Sequence, residues 1–449
     1  MNETSHQNLE GLKEQKEQDL KPPIDVRHVR ISQNDLVSVA GGKLRQDFRG
    51  QGYKAAQGSN YECRQEDQPR IQTHIDSFIT DIDKNATKKT SLNTDSQVKT
   101  MAQAQDLKGV TGIMNMRNTC YLNSTLQALR HNTEMTAFFL ENKHEQWVNR
   151  KKSEPKVELV RGYADLLKTL WSGSKPAYVR PEGFLQTMMP SAKAAGFDHF
   201  LVPEQHDSHE FLVFLLDQLH EGLAEEVNIQ ITRPPPLTQK DKAIQAALEA
   251  WKGFFGKQYS PLTEMIYGLL RVTMTCKGCS KSVDSWESFN CLKMPIKTSG
   301  PSTIEEMLTE ELKEEEIEGY ACDHCKPTRT VALRKPTIWR LPRMVCLVAK
   351  RFTYDGRKIH TPITFPNYES ISFSQFFSKD SPEPSHKHKY QCFAIVDHHG
   401  TSGGGHYVAQ AKSPLSDKWN LFNDETTHSM ESPRFGDTNY IFFLKPAKA

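Results

Sequence analysis

The chain has 449 residues, 37% of them hydrophobic, which is enough to bury a sizeable core. Its 57 Lys and Arg residues nearly balance its 55 Asp and Glu residues, so no bulk charge indicates nucleic acid or an anionic membrane as the main partner. The most apolar short run, residues 344–349, is far shorter than the roughly 18 residues that span a bilayer. We therefore expect a soluble protein.

Residues 1–108 form a polar N-terminal extension. They are rich in Gln, Asp, Lys, Asn and Ser and lack a sustained apolar period, so burial cannot offset the loss of chain entropy. We predict that this extension is largely disordered. Its first residues resemble neither a secretory signal nor a transit peptide.

The first strong element is a helix predicted over residues 118–130, where Leu122, Leu126 and Leu129 recur at helical spacing. The helix begins at Cys120, and the unpaired amides of a helix start stabilise a thiolate, the form in which cysteine acts as a nucleophile. A buried structural cysteine is the alternative interpretation, because free cysteines are usually buried.

Further along, residues 209–223 and 241–255 show the period of amphipathic helices. From residue 267 onward the chain is rich in Val, Ile, Phe and Tyr and alternates in the manner of β-strands. An acidic run at residues 304–319 interrupts these strands and is predicted to be an exposed helix.

Four of the nine cysteines form two CxxC pairs: Cys276 with Cys279, and Cys322 with Cys325. Without a secretory signal this pattern favours metal binding over disulfides, so we expect an intracellular protein, cytoplasmic and/or nuclear. Four thiolates would hold a structural zinc ion tetrahedrally and leave no position open for water. A zinc ribbon that binds nucleic acid is the alternative, but the region between the pairs is acidic, so no nucleic acid is expected.

Three separate segments carry a family resemblance. Residues 112–124 read GIMNMRNTCYLNS, residues 204–212 read EQHDSHEFL, and residues 403–407 read GGGHY, with WNLFND following at 419–424. Together with the two CxxC pairs, they closely resemble the boxes of the ubiquitin-specific proteases, papain-like cysteine deubiquitinases. The resemblance covers about residues 109–445.

The resemblance implies an α+β fold: a papain-like thumb and palm with a zinc-ribbon β fingers subdomain. The thumb would take residues 109–222, the fingers residues 265–335, and the palm residues 223–264 and 336–446. Together they would form one catalytic domain over residues 109–446, with the active site in the cleft between thumb and palm.

The resemblance also implies a role for each residue of the active site. Cys120 would be the nucleophile, and His406 would take its proton and later protonate the leaving amine. Asn423 would orient the imidazole, and Asp424 beside it could share or take over that role. Asn115 would donate from its side-chain amide to the oxyanion, although a structural turn asparagine is the alternative.

The sequence departs from the family pattern close to the nucleophile. The family usually has glycine where Arg117 stands, three residues before the cysteine. If this position needs a positive φ, its side chain costs about 1 kcal/mol or more. We expect Arg117 to perturb the rate without abolishing activity, because every group with a chemical role is present.

Four residues are candidates for binding the substrate. Asp207 would pair with an arginine of the Arg-Leu-Arg-Gly-Gly tail of ubiquitin, and Gln205 belongs to the same segment. A helix N-cap is an equally good interpretation of Asp207 and is compatible with the first. Gly404 and Gly405 leave little bulk near the nucleophile, as a narrow slot for a Gly-Gly tail requires.

The resulting hypothesis is a thiol-dependent deubiquitinase that hydrolyses bonds at the terminal glycine of ubiquitin through an acyl-enzyme thioester. Its partners would be ubiquitin and ubiquitinated proteins. The alternative is a catalytically weak scaffold protein that binds ubiquitin, with a cleft impaired by Arg117.

Overall fold

The computed structural model of the chain describes residues 24–27, 109–148, 154–172, 177–232, 235–401 and 403–447. The predicted disorder of the N-terminal extension lies outside these residues, apart from a strand at Ile24–Arg27. The helices within these ranges are α1 Cys120–Leu129, α2 Thr133–Leu140, α3 Pro155–Trp171, α4 Glu182–Ala194, α5 Ser208–Leu223, α6 Gln239–Phe255, α7 Thr263–Ile266 and α8 Ile304–Glu311.

The strands lie mainly in the second half of the chain. They are β1 Ile24–Arg27, β2 Gly112–Ile113, β3 Tyr178–Val179, β4 Ile229–Thr232, β5 Gly268–Cys276, β6 Ser282–Phe289, β7 Cys291–Met294, β8 Ser302–Thr303, β9 Glu315–Tyr320, β10 Thr330–Arg340, β11 Val345–Ala349, β12 Ile363–Thr364, β13 Ile371–Ser372, β14 Lys389–Thr401, β15 Gly404–Lys412, β16 Trp419–Asn423, β17 Thr426–Met430 and β18 Asn439–Pro446.

Two sheets contain twelve of these strands, and the others pair two by two as β1 with β4, β2 with β3 and β8 with β12. The larger has the order β17-β16-β15-β14-β18-β11-β7, with β13 also paired to β14, and only the β7–β11 pair is parallel. The smaller is antiparallel, in the order β6-β5-β10-β9. Helices and mixed sheets in one chain confirm the α+β class, while the predicted bounds of thumb, fingers and palm stay predictions.

The larger sheet is buried on both faces, which explains the unbroken apolar sequence of β11. Cys346 and Val348 face the core that contains the helices before the smaller sheet. Val345, Leu347 and Ala349 alternate with them and face a second core, which also contains the apolar face of α8. Because side chains of a strand alternate between faces, a strand covered on both sides needs an apolar residue at every position.

Helix α1 lies between the helical layer and the larger sheet, and all ten of its residues are buried. The leucines at helical spacing explain the burial of only one face of this helix. The helix contacts α5 as well as β14, β15 and β16, and its polar groups find internal partners. Thr125 Oγ1 donates to Tyr121 O at 2.8 Å, and Gln127 Nε2 donates to Thr111 O at 3.0 Å. Such pairing removes the cost of burying polar groups.

The prediction of a helix over residues 304–319 was wrong in its second half. Helix α8 covers the first half, where Ile304, Met307 and Leu308 form a buried face. The following residues repeat glutamate without a further apolar helical face and instead form β9, an edge strand paired with β10. A strand at an edge needs backbone partners on one side only and keeps its glutamates in water.

Two further differences concern strands. The run SWESFNCLKMPI, residues 285–296, is predicted as one strand but is divided, because β6 belongs to the smaller sheet and β7, two residues later, to the larger. Strands β16 and β17 were not predicted. No helix in the described part of the chain combines the length and apolarity needed to cross a membrane.

Candidate active site and metal centre

Cys120 is the first residue of α1 and is 3% exposed. The amides of Leu122 and Asn123 donate to Thr119 O at 3.0 and 2.9 Å, so the Cys120 amide precedes the first intrahelical bonds. A backbone donor at this position can stabilise negative charge beside the thiol. The predicted helix start is confirmed.

The loop ahead of α1 has two residues in the left-handed region, Arg117 with φ 65° and Asn118 with φ 58°. Asparagine tolerates this region, whereas arginine there costs about 1–2 kcal/mol. The positive φ considered for Arg117 is therefore present. Two bonds hold the loop: Asn118 Nδ2 donates to Pro203 O at 2.9 Å, and the amide of Met116 donates to Thr119 Oγ1 at 2.8 Å.

His406 and Asn423 meet on two neighbouring strands. Antiparallel pairing of Ala409 with Phe422 brings the start of β15 beside the end of β16. His406 Nε2 lies 2.7 Å from Oδ1 of Asn423, an oxygen that can only accept, so Nε2 donates. The other ring nitrogen, Nδ1, is left to take a proton from the thiol.

The charge state of His406 depends on its neighbours. Its hydrogen bond with the Cys120 thiol raises the pKa of His406 to about 9, and the contact with Asn423 also raises this pKa, while partial burial opposes both. The side chain is 41% exposed, so a substrate can reach it. The site therefore favours a protonated imidazole beside a sulfur nucleophile.

Asp424 has other partners than the imidazole. Its Oδ2 accepts from Asn115 Nδ2 at 2.8 Å, and its Oδ1 accepts from Asn123 Nδ2 at 2.7 Å. The distance from Oδ2 to His406 Nε2 is 3.8 Å, longer than a hydrogen bond. Asp424 therefore adds negative potential near the ring but bonds two asparagines, while Asn423 holds the ring directly.

Asn115 is fixed at both ends of its amide. Its Oδ1 accepts from the Thr119 amide at 3.1 Å, and one Nδ2 hydrogen goes to Asp424. An amide nitrogen carries two hydrogens, so a second one remains for a substrate oxygen. The turn-forming role and the predicted oxyanion role are therefore compatible, and the latter stays a prediction.

Two residues of this network were missed at the sequence level. Asn123 lies three residues after Cys120, a spacing that places both on one side of a helix and could have revealed it. Glu425 Oε1 accepts from the Asn115 amide at 2.9 Å. A Cβ on Gly112 would lie 2.4 Å from the carbonyl oxygen of Glu425, so the glycine allows these segments to approach.

Asp207 joins the helical layer to the larger sheet. Its Oδ1 accepts from the amides of His209 and Glu210 at 2.7 and 3.0 Å, which confirms the N-cap interpretation. Its Oδ2 accepts from the hydroxyl of Tyr440, on β18, at 2.7 Å. Tyr440 carried no motif and was missed. Pairing of Asp207 with a substrate arginine stays a prediction.

Gln205, Gly404 and Gly405 lie together across the cleft between α1 and β15. Gln205 bonds both backbone groups of Gly405, and its Oε1 lies 3.4 Å from where a Cβ on Gly404 would be. A Cβ on Gly405 would lie 2.4 Å from His398 Nε2. The three predicted residues are thus brought together, and a side chain at Gly405 is excluded by close packing.

The four cysteines of the CxxC pairs converge at one end of the smaller sheet, where their sulfur atoms lie within 4.8 Å of one another. Cys276 Sγ is 3.8 Å from Cys325 Sγ, and Cys279 Sγ is 3.7 Å from Cys322 Sγ. A tetrahedral zinc ion with Zn–S bonds of about 2.3 Å would place its sulfur ligands about 3.8 Å apart. The donor set and spacing therefore fit zinc.

The cleft brings together a thiol, a base that can reach it, an acceptor that orients the base, and two donors near the thiol. These are the components of acyl transfer through a covalent intermediate. The cluster of four cysteines lies on a different sheet, and a metal ion bound by all four would have no open ligand position, which suits a structural role.

Residues 111–444 match the profile of the family described as "Ubiquitin carboxyl-terminal hydrolase". The chain is 30% identical over 353 residues to ubiquitin carboxyl-terminal hydrolase 2 of Gallus gallus, covering 75% of this chain and 94% of that protein. It is 27% identical to the protein of that name from Bos taurus, covering 76% of this chain and 56% of the relative, so it spans about half the length of this curated relative.

Solved structures share the fold. The chain superposes with a TM-score of 0.59 and 21% identity on a structure described as the SAGA DUB module of Ubp8, Sgf11, Sus1 and Sgf73 bound to monoubiquitin. The match covers 83% of this chain and 74% of that one. A second structure of the module, bound to ubiquitin aldehyde, matches with a TM-score of 0.57 and 21% identity, covering 83% of this chain and 75% of the other.

Proposed function

The chain belongs to the ubiquitin carboxyl-terminal hydrolase family, and from this premise we propose that it is a thiol-dependent deubiquitinase. It hydrolyses isopeptide or peptide bonds that follow the terminal glycine of ubiquitin. The observation that carries the proposal is His406 Nε2 donating to Asn423 at 2.7 Å, with the Cys120 thiol raising the pKa of the same ring.

In the reactive state the thiol proton resides on His406, and the sulfur attacks the carbonyl carbon of the terminal glycine. The oxyanion accepts from the free Nδ2 hydrogen of Asn115 and from the Cys120 amide. His406 gives its proton to the leaving amine, and a thioester forms. Water then loses a proton to His406 and attacks the thioester, which releases the ubiquitin carboxylate and regenerates the thiol.

Binding of the tail follows from the chemistry of the cleft. Gly404 and Gly405 carry no side chains, so a tail that ends in Gly-Gly can lie close to their backbone. Asp207 would attract an arginine of the tail, since a carboxylate accepts charge-assisted bonds from guanidinium groups.

The zinc ion would be held by Cys276, Cys279, Cys322 and Cys325 and would stabilise the turns at the end of the smaller sheet. It takes no part in the chemistry of the cleft. Free thiolates that bind metal suit a reducing compartment, so we place the protein inside the cell, in the cytoplasm and/or nucleus.

A turnover assay tests this function. Ubiquitin bearing a fluorogenic amide at its C-terminus should be cleaved by the chain, and Cys120→Ala should lower the rate at least a thousandfold, roughly the cost of losing a nucleophile. Binding of ubiquitin by the variant should persist. Retained binding without any turnover dependent on Cys120 would support instead the scaffold protein, for which the strained Arg117 is the specific observation.

A further inference from the structure

The loop before α5 carries a side chain that bridges the cleft. Gln205 Nε2 donates to Gly405 O at 2.9 Å, and the amide of Gly405 donates to Gln205 Oε1 at 2.8 Å. The two residues are 200 positions apart and belong to opposite sides of the cleft. One side-chain amide therefore pairs with both backbone groups of a single residue, as a neighbouring strand would.

The bridge lies at a part of β15 that has a neighbouring strand on one side only. On one side β15 pairs with β14, with Gly400 opposite Gly405 and His399 opposite His406. On the other side β16 pairs with β15 only from Ala409 to Lys412. The start of β15, where His406 lies, thus has strand pairing on one side only. Gln205 supplies the missing partner one residue before His406.

The opposite side of the same hairpin is also held. Lys358 Nζ donates to His398 O at 2.6 Å, and a Cβ on Gly405 would lie 2.3 Å from His399 O. Gly405 is therefore paired with Gly400 of β14 on one side, and movement away from β14 is opposed by the two bonds of Gln205 on the other. The backbone next to His406 is therefore held between β14 and the Gln205 side chain.

We infer that Gln205 is a positioning residue, which holds Gly405 and thereby keeps His406 between Cys120 and Asn423 before the substrate arrives. The inference rests on the proposed function and goes beyond contact with the substrate. A residue that bound only the tail would affect substrate affinity, whereas a positioning residue also affects the reactivity of the free enzyme.

Kinetics of Gln205→Ala provide the first test. With ubiquitin amide and with a short peptide amide ending in Arg-Leu-Arg-Gly-Gly, kcat should fall about tenfold, the effect of losing two exposed hydrogen bonds, and KM should change less than twofold. Gln205→Glu can accept from the Gly405 amide but cannot donate to its carbonyl, so it should not restore kcat. Glu204→Ala, an exposed change in the same loop, is the matched control.

A second measurement needs no substrate. Alkylation of Cys120 by iodoacetamide at pH 7, followed by mass spectrometry, reports how well His406 supports the thiolate. It should slow severalfold in Gln205→Ala and stay unchanged in Glu204→Ala, with thermal unfolding of all variants alike. Unchanged alkylation and kcat with a raised KM would overturn the inference. If the unmodified chain lacks turnover that depends on Cys120, the proposed function fails, while the alkylation result still decides the role of Gln205.

Discussion

The cluster of four cysteines and the catalytic cleft are built in opposite ways. The cluster uses two short CxxC turns at the end of one antiparallel sheet, so that each pair is local and only one long-range contact is needed. The cleft uses α1, β15 and β16, together with the turn at Asp424, and nearly every bond in it joins distant segments.

The difference also appears in the backbone. Within the described chain, the cleft contains three non-glycine residues with positive φ, namely Arg117, Asn118 and Asp424, whereas the two CxxC turns have one, Ser280. Such conformations persist only where surrounding contacts determine them, and they concentrate at functional sites. The cluster depends on sulfur ligands and their spacing, whereas the cleft depends on tertiary contacts. Damage to one region should therefore leave the other largely intact.

The largest effect is expected from replacing one cysteine of the four-cysteine cluster. The purified chain should hold one zinc ion, and Cys279→Ser should lose it and destabilise the smaller sheet by about 3 kcal/mol or more, because binding of a structural metal contributes directly to folding. Metal analysis and hydrogen exchange of β5 and β10 measure this. Cys63→Ser, outside the described residues, is the matched control. Equal loosening of α1 would contradict the independence of the two regions.

The second prediction compares substitutions of the two asparagines in the cleft that donate hydrogen bonds to Asp424. Asn115→Ala should lower kcat about a hundredfold, close to 3 kcal/mol, if its second amide hydrogen binds the oxyanion. Asn123→Ala loses an equivalent bond to Asp424 but no predicted contact with the substrate, so kcat should fall much less. Turnover and thermal unfolding are measured for both. Similar losses of kcat would show that Asn115 acts only through Asp424.

The charge on His406 predicts a pH dependence. Because its pKa lies near 9, above the ordinary value of 6.5, the ring stays protonated until about pH 9 and then loses the proton needed by the leaving amine. Amide hydrolysis should fall about tenfold per pH unit above 9. Asn423→Asp places a negative charge near Nε2 and should move the decline to higher pH.

A ubiquitin thioester serves as the control for this profile. Its leaving group departs as a thiolate and needs no proton, so its hydrolysis should stay flat where amide hydrolysis falls. Parallel decline of both substrates would indicate unfolding of the cleft and would remove the argument based on His406.

The smallest effect concerns the strained loop. Arg117→Gly should raise the free energy of unfolding by about 0.5–1 kcal/mol, because relief of a left-handed arginine outweighs the added freedom of the unfolded chain. Asn118→Gly should change it by only a few tenths, since asparagine tolerates this conformation. Urea denaturation compares the two. A loss of stability in Arg117→Gly would mean that the arginine side chain contributes contacts that outweigh its strain.

Local patterns were sufficient for much of the molecule. The leucine period predicted α1, and the CxxC spacing predicted which cysteines converge. The acidic run was misread because glutamate is a good helix former and is depleted in strands, and the pairing of β9 with β10 overrides this local preference. The complete burial of α1 was not evident because β14, β15 and β16, which contact it, lie far away in sequence.

The sequence by itself determined the chemistry available to this protein: a cysteine at a helix start, a histidine after three glycines, and four thiols at metal spacing. Tertiary structure decided which groups touch. In the folded chain Asn423 accepts a hydrogen bond from the His406 imidazole, and Asp424 accepts hydrogen bonds from two asparagines. Gln205 forms hydrogen bonds with the backbone of Gly405. These choices depend on the register of strands and the packing of α1, which arise from contacts between distant segments, and no local pattern encodes them.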